Sequence, residues 1–509
     1  MYRLRLFHLV FFLLLLTGVE VTSQNELKRE FRGVWVATVG NIDWPSRKNL
    51  NSVEQKKEFI DLLDMCKSMN FNAIIFQIRP SADAFYDSNY EPWSAYLTGM
   101  SGEPPAPYYD PLAFFIEETH KRGMEFHAWI NPYRAMVNYQ EYHPKPLPLT
   151  YERPEWFVNY GKNKYFDPGI PAVREYTLNI VTDVVQNYDV DAIHFDDYFY
   201  PYKIDGEIFK DDLSFEKFGN SHYPDQRDEW RRSNVNSIIQ ELHHRIKGLK
   251  PWVQFGISPF GVWRNNNKDT RGSDTQAGQT NYDDLYADIT MWVKKGWLDY
   301  ILPQAYWHIG HEKADYREVV KWWSENSFGT RLYIGHGLYK MQDASQNAAW
   351  RAKNPSEIEK QLQVNKSMSK IRGSAFFSAR SLLQNPDNIR EKVTKHFFPD
   401  VLLPPLIDDN VKKVPQPVYG VRLEPARGKS LKILWESLPE NKEKEAVRYL
   451  INQFKADEEI DLNNLKGKVI LTGLKHLELS KKESKEFKSV VIRAVSRNND
   501  VSDPVTFHL

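Results

Sequence analysis

The chain has 509 residues, of which 67 are lysine or arginine and 67 are aspartate or glutamate, so its formal net charge at pH 7 is zero. This balance provides no basic surface for a phosphate backbone, and nucleic acid or an anionic membrane is therefore not an expected partner. The length exceeds the about 250–300 residues that one hydrophobic core usually serves, and predicts a large domain together with a smaller one.

The N-terminus has the layout of a secretory signal peptide over residues 1–23. Two arginines lie within Met1–Arg5, Leu6–Leu16 is almost entirely apolar, and Ser23 is a small residue at the expected cleavage point. An apolar run of this length is too short to span a bilayer comfortably. We therefore expect export to the periplasm or the medium of a bacterium, with no integral membrane span after the signal is removed. A retained N-terminal anchor is the alternative.

Residues 28–398 alternate short β-rich runs with amphipathic helical runs. Most β-rich runs are continuously apolar, which is typical of parallel strands buried on both faces. Eight such pairs predict an α/β fold of the (β/α)8 TIM-barrel type. An open doubly wound sheet is the alternative, but no glycine-rich phosphate loop follows any strand. The predicted strands are 33–39, 73–78, 124–130, 192–195, 253–258, 300–305, 332–335 and 374–377.

The sequence marks where the helices between these strands begin and end. Asp110-Pro111 is a cap followed by proline in the first turn, and Arg122-Gly123 is a basic last turn followed by a glycine. The predicted helices cover 53–68, 110–123, 172–188, 225–249, 283–295, 315–324, 355–364 and 385–396.

The C-terminal part of the chain has a different pattern. A proline cluster at 399–417 predicts a linker. Beyond it, Trp435 and Tyr449 lie on successive short strands and a β-rich strand comes at 489–495, which predicts an all-β sandwich over 418–509. This arrangement resembles a fibronectin type III domain. It carries no catalytic constellation, so a spacer or attachment role is the expectation.

Functional groups of a (β/α)8 barrel lie at the C-terminal ends of its strands. In this chain polar, acidic and aromatic residues collect at those ends, whereas the opposite ends contain plain connections. The candidate substrate-binding residues are Trp44, Arg79, Asn131, Tyr133, Arg134, His194, Tyr198, Trp263, Arg264, Gln304, Tyr306, Trp307 and His336.

Several of these candidates have an ordinary structural alternative. Arg79 and Arg264 either hold an acidic or hydroxylated substrate group or form ion pairs with aspartates. Each tryptophan is either a platform for a sugar ring or part of the core at the rim of the barrel. His194 lies within an apolar strand, where a hydrogen-bonded interior histidine is the commoner outcome.

The fourth strand ends in two consecutive acids, Asp196 and Asp197. Because side chains alternate along a strand, His194, Asp196 and Tyr198 should share the face that points into the barrel. Burying two acidic side chains at the end of a strand costs free energy, so we expect them to have a function. We therefore predict that Asp196 is a catalytic carboxylate and Asp197 its partner, with a loop-capping pair as the alternative.

Carboxylates among Trp and Tyr rings suit the cleavage of a glycosidic bond. One acid protonates the leaving oxygen, and one carboxylate stabilises or attacks the oxocarbenium-like carbon. The second carboxylate stays open: Asp197 and Asp274 are the leading candidates, and Asp43, Asp83 and Glu312 are others. No transition-metal ligand spacing and no serine-nucleophile elbow occurs, so no metal or other cofactor is expected. A divalent cation held by aspartates is the alternative, but no loop has the spacing of a calcium hand.

The strand ends also carry a series of spaced motifs. They are Phe31–Val36, Asp43–Pro45, Gln77–Pro80, His127–Arg134, Asp167–Gly169, His194–Tyr200, Gly256–Arg264, Gly272–Thr275 and Pro303–Trp307. Over about Glu30 to His396 these motifs resemble the glycosyl-hydrolase-like family ten domain of bacterial envelope proteins. The resemblance implies a secreted or periplasmic hydrolase, and one branch of that family is associated with cleavage of peptide-free peptidoglycan strands. Strand four is also similar to the signature of family-eighteen chitinases, but Tyr198 stands where that signature has its acidic glutamate.

These observations lead to two candidate functions. The first is an exported glycoside hydrolase that cleaves O-glycosidic bonds of a polysaccharide, with peptidoglycan glycan strands as one candidate. The second is a glycan-binding barrel of the cell envelope without catalysis. Two carboxyl groups about 5–10 Å apart in one cavity would favour the enzyme. Asp196 alone among aromatic rings would favour binding. The oligomeric state is left open.

Overall fold

The computed structural model describes residues 27–139, 149–343, 345–353, 355–427, 430–439, 441–458, 460 and 467–509. The expected signal peptide, residues 1–23, lies outside the described residues. Within the described ranges, no helix combines the length and the apolar character needed to cross a membrane.

Eight parallel strands close into a barrel, which confirms the predicted fold class. The strands of this part of the chain are β1 (Phe31–Val36), β2 (Ala73–Arg79), β3 (Glu125–Ile130), β4 (Arg134–Met136), β5 (Phe157–Tyr160), β6 (Asn163–Phe166), β7 (Ala192–Phe195), β8 (Gln254–Ile257), β9 (Tyr300–Ile301), β10 (Arg331–His336) and β11 (Ile371–Phe376). The order around the barrel is β1-β11-β10-β9-β8-β7-β3-β2, and β4, β6 and β5 form a small separate sheet. All eight predicted barrel strands are present.

Helices surround the barrel and connect its strands. They are α1 (Ser52–Ser68), α2 (Ala95–Thr98), α3 (Pro111–Lys121), α4 (Leu149–Glu152), α5 (Pro171–Asn187), α6 (Asp212–Ser214), α7 (Arg227–Leu249), α8 (Asn281–Asp284), α9 (Ile289–Lys294), α10 (Tyr316–Asn326), α11 (Glu357–Lys366), α12 (Ala379–Gln384) and α13 (Ile389–His396). As predicted, the Asp110 side chain caps α3. The predicted helix 283–295 was wrong in one respect, because it is divided into α8 and α9. Tyr286 has a φ of 53°, which interrupts a right-handed helix between them.

The interior of the barrel is a packed aromatic layer. Phe31 stacks on Tyr333 with ring centroids 4.1 Å apart. The Tyr300 hydroxyl lies 2.9 Å from Nδ1 of His127 and 2.9 Å from Nδ1 of His194. This layer closes the lumen, so a ligand can reach only the groups above it at the C-terminal ends of the strands.

The C-terminal part forms two antiparallel sheets, as the predicted fold class requires. Its elements are β12 (Tyr419–Pro425), β13 (Leu431–Glu436), β14 (Ala446–Lys455), β15 (Lys468–Thr472), β16 (His476–Leu479), α14 (Glu483–Glu486), β17 (Phe487–Ser496) and β18 (Val505–His508). One sheet has the order β12-β13-β16 and the other β15-β14-β17-β18. Trp435 from the first sheet packs edge-on against Tyr449 from the second, at 5.3 Å. The domain boundaries and the fibronectin type III likeness stay predictions.

Candidate active site

A cavity of about 380 Å³ opens at the C-terminal ends of the barrel strands. Every barrel strand, or the loop after it, contributes at least one lining residue. Apart from tyrosines, the polar lining side chains are Gln77, Arg134, Asp196, Ser258, Gln304 and Lys340. The remaining surface is largely aromatic. Such a cavity matches the usual position of a (β/α)8-barrel site.

Asp196 is the one carboxylate among the described residues that line this cavity. Its Oδ2 accepts hydrogen bonds from Asn131 Nδ2 at 2.8 Å and from Trp129 Nε1 at 3.1 Å. Burial raises the pKa of Asp196 to about 6, although the charge of Arg134 and these donors oppose the shift. The carboxyl group can therefore be either protonated or ionised near neutral pH.

Asp197 lies directly beside Asp196 but does not line the cavity. Its Oδ2 accepts a hydrogen bond from the hydroxyl of Tyr202, which does line the cavity. Burial, and after it the charge of Asp196, raises the pKa of Asp197 to about 7. Two neighbouring carboxyl groups with raised pKa values favour states in which at least one of them holds a proton.

Five of the predicted substrate-binding residues line the cavity: Arg134, Tyr198, Gln304, Tyr306 and Trp307. Tyr198 stacks on Tyr202 with ring centroids 4.9 Å apart, and Arg134 lies over the Tyr198 ring at 5.5 Å. Trp307 meets Phe260 edge-on at 5.4 Å. These contacts hold aromatic faces at the cavity wall, where sugar rings can stack.

Two further predicted residues, Asn131 and His194, lie beneath the cavity and contact residues that line it. Asn131 is fully buried and its amide donates to Asp196, so it orients that carboxylate. His194 is also buried, and its Nε2 lies 3.0 Å from Oγ of Ser258. Burial holds the pKa of His194 well below its usual value, which keeps the ring neutral.

Arg79 and Arg264 form ion pairs outside the cavity lining. Arg79 Nη2 lies 2.5 Å from Oε1 of Glu91, and both side chains are completely buried. Arg264 contacts Asp283 at 2.8 Å and Asp269 at 3.2 Å. Both arginines therefore form ion pairs with acidic side chains, which is the alternative that the sequence analysis left open.

Trp44 and Trp263 are core residues rather than parts of the cavity wall. Trp44 packs edge-on against Phe115 at 4.7 Å, and its Nε1 donates to the carbonyl of Gln55 at 3.1 Å. Trp263 stacks on Trp322 at 5.6 Å with an interplanar angle of 11°. Neither indole lines the cavity, so the structure does not bring them to a bound sugar there.

Tyr133, His336 and Asp274 are likewise outside the lining. Tyr133 is buried, and His336 is buried with Nδ1 2.9 Å from Oε1 of Gln361. Asp274 is exposed on a loop, where its Oδ1 accepts a hydrogen bond from Asn266 at 3.0 Å. Of the two leading candidates for the second carboxylate, only Asp197 lies next to Asp196.

Sequence reasoning missed several lining residues because it considered mainly the residues that come after each strand. Trp35 and Gln77 lie on β1 and β2 and point into the lumen near the end of each strand. Trp129 lies two residues from both His127 and Asn131 and so shares their face of the chain along β3, and strand periodicity could have identified it. The other missed members follow the ends of the strands: Ala37, Val39, Ile42, Tyr202, Ser258, Phe260, Tyr339, Lys340 and Phe377.

In the part of the chain that the structure describes, no three His, Cys, Asp or Glu side chains lie close enough to hold a metal ion. A family profile described as "Glycosyl hydrolase-like 10" matches residues 30–352, more than half of the chain. The chain belongs to the glycosyl hydrolase-like 10 family.

Two relatives agree with this family membership. Glycosyl hydrolase YngK of Bacillus subtilis (strain 168) is 44% identical over 410 residues, which cover 78% of this chain and 78% of the relative. Glycosyl hydrolase DigH of Escherichia coli (strain K12) is 38% identical over 375 residues, which cover 70% of this chain and 84% of the relative. The family resemblance of the motifs is therefore confirmed.

Solved structures with a similar arrangement are distant in sequence. The catalytic domain of a β-amylase from Paenibacillus polymyxa matches with a TM-score of 0.48 and 11% identity, over 73% of this chain and 99% of that one. The PgaB (BpsB) glycoside hydrolase domain from Bordetella bronchiseptica matches with a TM-score of 0.46 and 11% identity, over 74% and 99%.

Proposed function

We propose that this protein is an exported glycoside hydrolase that cleaves O-glycosidic bonds of a polysaccharide, with peptide-free peptidoglycan strands as the first candidate substrate. The observation that carries the proposal is Asp196, a carboxyl group held by two donors in an aromatic cavity at the C-terminal face of the barrel. Family membership supports the same reaction class.

In the proposed reaction Asp196 acts in its ionised form. A carboxylate at this position stabilises or attacks the oxocarbenium-like carbon as the glycosidic bond breaks. Asn131 and Trp129 fix the carboxylate through its Oδ2, so its orientation needs no rearrangement when the substrate binds. Tyr198 and Trp307 offer faces to the sugar rings on either side.

Asp197 is the proposed partner of Asp196. Its raised pKa keeps a proton on the pair near neutral pH, which leaves Asp196 free to carry the negative charge. The hydroxyl of Tyr202 joins Asp197 to the cavity surface. Asp197 is thus the proposed source of the proton that passes through the Tyr202 hydroxyl to the leaving glycosidic oxygen. A water molecule then adds to the anomeric carbon and returns a proton to the pair.

The test is the Asp196→Asn variant incubated with peptide-free peptidoglycan strands, chitin and plant polysaccharides. We expect the release of reducing ends from the cleaved glycan to fall by at least about 100-fold, because a positioned carboxyl group contributes on this scale. Asp61→Asn on the exposed face of α1 is the matched control and should retain wild-type activity. Unchanged turnover in a folded Asp196→Asn variant would remove Asp196 from the mechanism.

A glycan-binding barrel is the second candidate function. It is favoured by the observation that Asp196 has no second carboxylate beside it among the described lining residues. The same assay separates the two functions: wild-type protein that sediments with the strands yet releases no reducing ends from any glycan would support binding alone.

The remaining expectations concern location and modules. We propose that residues 1–23 direct export, that 28–398 form the catalytic barrel, and that a linker at 399–417 joins a fibronectin type III-like domain at 418–509. Cell fractionation of full-length protein and of protein lacking residues 2–23 tests the first point. Export of both forms would contradict it.

A further inference from the structure

Two cationic side chains line the cavity without a carboxylate within ion-pair distance among the described residues. Arg134 comes after β3, and its Nε donates to the carbonyl of Pro80 at 2.8 Å. This contact fixes the guanidinium and leaves its terminal nitrogens available. Lys340 comes after β10, and its ammonium donates to the carbonyl of Tyr306 at 2.6 Å. An ammonium group has three donors, so the contact with Tyr306 leaves two of them for a ligand.

Two contacts position the ammonium group of Lys340. Besides the bond to Tyr306, its Nζ lies 5.7 Å from the ring centre of Trp350. The side chain is half-buried, so its charge is only partly screened by water. Asp343 acts on this ammonium group through its charge but is not within ion-pair distance. The ammonium group can therefore pair with an anion that binds in the cavity.

Gln77 adds a third donor that is available to a ligand in this cavity. It is completely buried, and its Oε1 accepts from the backbone N–H groups of Thr38 and Val39, each at 3.0 Å. These two bonds fix which end of the amide is the oxygen. The side chain lines the same cavity, and its Nε2 group has no hydrogen-bond partner among the described residues. A buried donor left unpaired costs free energy unless a ligand completes it.

The three donors occupy two opposite walls. In the strand order, β2 and β3 are neighbours, so Gln77 and Arg134 lie on one side, and β10 lies diametrically opposite β3. Asp196, which comes after the next strand β7, lies at the end of the cavity near Arg134. A glycan chain that crosses the cavity from Asp196 therefore has Arg134 near that end and reaches Lys340 on the opposite wall.

We propose that Lys340 is a specificity-determining residue, which binds a sugar-borne carboxylate of the glycan on the wall opposite Arg134. This inference rests on the proposed function only in placing a glycan in the cavity. The carboxylate could belong to a lactyl ether substituent or to a uronic acid, and both present the same planar anion to the ammonium group.

The test measures binding, so it can be read whether or not the chain is hydrolytic. Asp196→Asn protein is titrated with peptide-free peptidoglycan strands and with polygalacturonate, each as the free acid and as the methyl ester. In this background, adding Lys340→Gln should weaken binding of one free-acid glycan about tenfold, the scale of a hydrogen bond to a charged group. Binding of its methyl ester should be the same with and without the Lys340→Gln change, since the ester carries no charge.

Two controls complete the design. Adding Lys340→Arg should keep the preference for the free acid, and Lys321→Gln on the exposed surface of α10 should change nothing. The glycan that shows the difference identifies the source of the carboxylate. Equal binding of acid and ester, equal weakening of both by Lys340→Gln, or no binding of either free-acid glycan would overturn the proposal. Loss of hydrolysis alone would bear only on the proposed function.

Discussion

At the scale of single residues, the charge state of Asp196 is set by two opposing effects. Burial penalises the carboxylate and raises the pKa to about 6, while Arg134, Trp129 and Asn131 favour the ionised form. The donors are fixed by the barrel, so they are in place before a substrate binds. A carboxyl group balanced in this way can change its protonation state within the pH range in which enzymes work.

This balance gives a prediction for the pH dependence of catalysis. Because Asp196 is proposed to act as a carboxylate, kcat/KM should rise with pH through about 6. Asn131→Ala removes a donor that favours the ionised form, so the rising limb should move to higher pH by about one unit. Asn266→Ala on the exposed loop is the control and should not move it. A limb that falls with pH near 6 would instead make Asp196 the proton donor.

Residue types and positions after strands identified Asp196, but they could not assign partners. Arg79 pairs with Glu91, which lies 12 residues further on in a loop, and nothing in the sequence marks that glutamate as its partner. Trp263 likewise finds Trp322 on a distant helix. Polar and aromatic residues at a barrel rim serve both core and cavity, and only the fold decides between the two.

At the scale of elements, the close approach of β8 and β9 controls the layer beneath the cavity. Gly256 on β8 faces Tyr300 on β9, and a Cβ at position 256 would lie 1.9 Å from the Tyr300 ring. The hydroxyl of Tyr300 contacts both His127 and His194. The absence of a side chain at Gly256 is therefore what allows this polar group to sit at the centre of the lumen.

Gly256→Ala should accordingly destabilise the barrel by about 1–3 kcal/mol, the usual cost of forcing atoms into a packed core. Gly248→Ala is the matched control, because a Cβ there meets nothing within 4 Å near the end of α7. It should leave the free energy of unfolding unchanged or raise it by up to about 1 kcal/mol. Denaturant unfolding of both variants gives the comparison, and equal stability would show that Tyr300 can move aside without cost.

The barrel strands were predictable because continuous apolar runs mark strands buried on both faces. The ends of the strands were less predictable. For example, β9 has only two residues, because Pro303 has no N–H to continue the hydrogen bonds between strands beyond Leu302. The sheet of β4, β5 and β6 was not predicted, because its strands are of three or four residues and mix polar with apolar side chains. Arg134 on β4 nevertheless reaches the cavity.

At the scale of the whole molecule, a chain of hydrogen bonds runs from the connection between β17 and β18 to the cavity. Glu125 at the start of β3 accepts from Asn499 at 3.0 Å, and its other oxygen lies 3.2 Å from Nε2 of His127. From His127 the contacts continue through Tyr300 and His194 to the hydroxyl of Ser258, which lines the cavity. The C-terminal sheets therefore complete the floor of the barrel.

Arg448 on β14 also contacts Glu125, although the two residues are 323 positions apart in the chain. No sequence pattern indicates a contact over that separation. A linker rich in proline and a sandwich without catalytic groups predicted an independent spacer. Yet Arg497 on the C-terminal side also pairs with Asp189 of the barrel at 2.8 Å. Charges that meet only after folding cannot be matched from residue type alone.

The contact between Arg448 and Glu125 can be tested by Arg448→Met. Glu125 is buried, and although burial opposes it, the hydrogen bond of His127 and the charge of Arg448 lower the pKa of Glu125. A lowered pKa contributes stability that is present at neutral pH and is lost as pH falls through the folded-state pKa. Removing Arg448 should therefore cost about 3 kcal/mol at pH 7, the scale of an unpaired buried charge.

The loss of unfolding free energy caused by Arg448→Met should be smaller at acid pH, where Glu125 is protonated and no longer needs a counter-charge. Adding Glu125→Gln should recover part of the loss at pH 7, because the neutral amide removes the unpaired charge. Arg422→Met, at an exposed pair with Glu424, is the control and should change the free energy of unfolding by less than about 1 kcal/mol. If Arg448→Met unfolds like the wild type at pH 7, the C-terminal sheets do not stabilise the barrel through this pair.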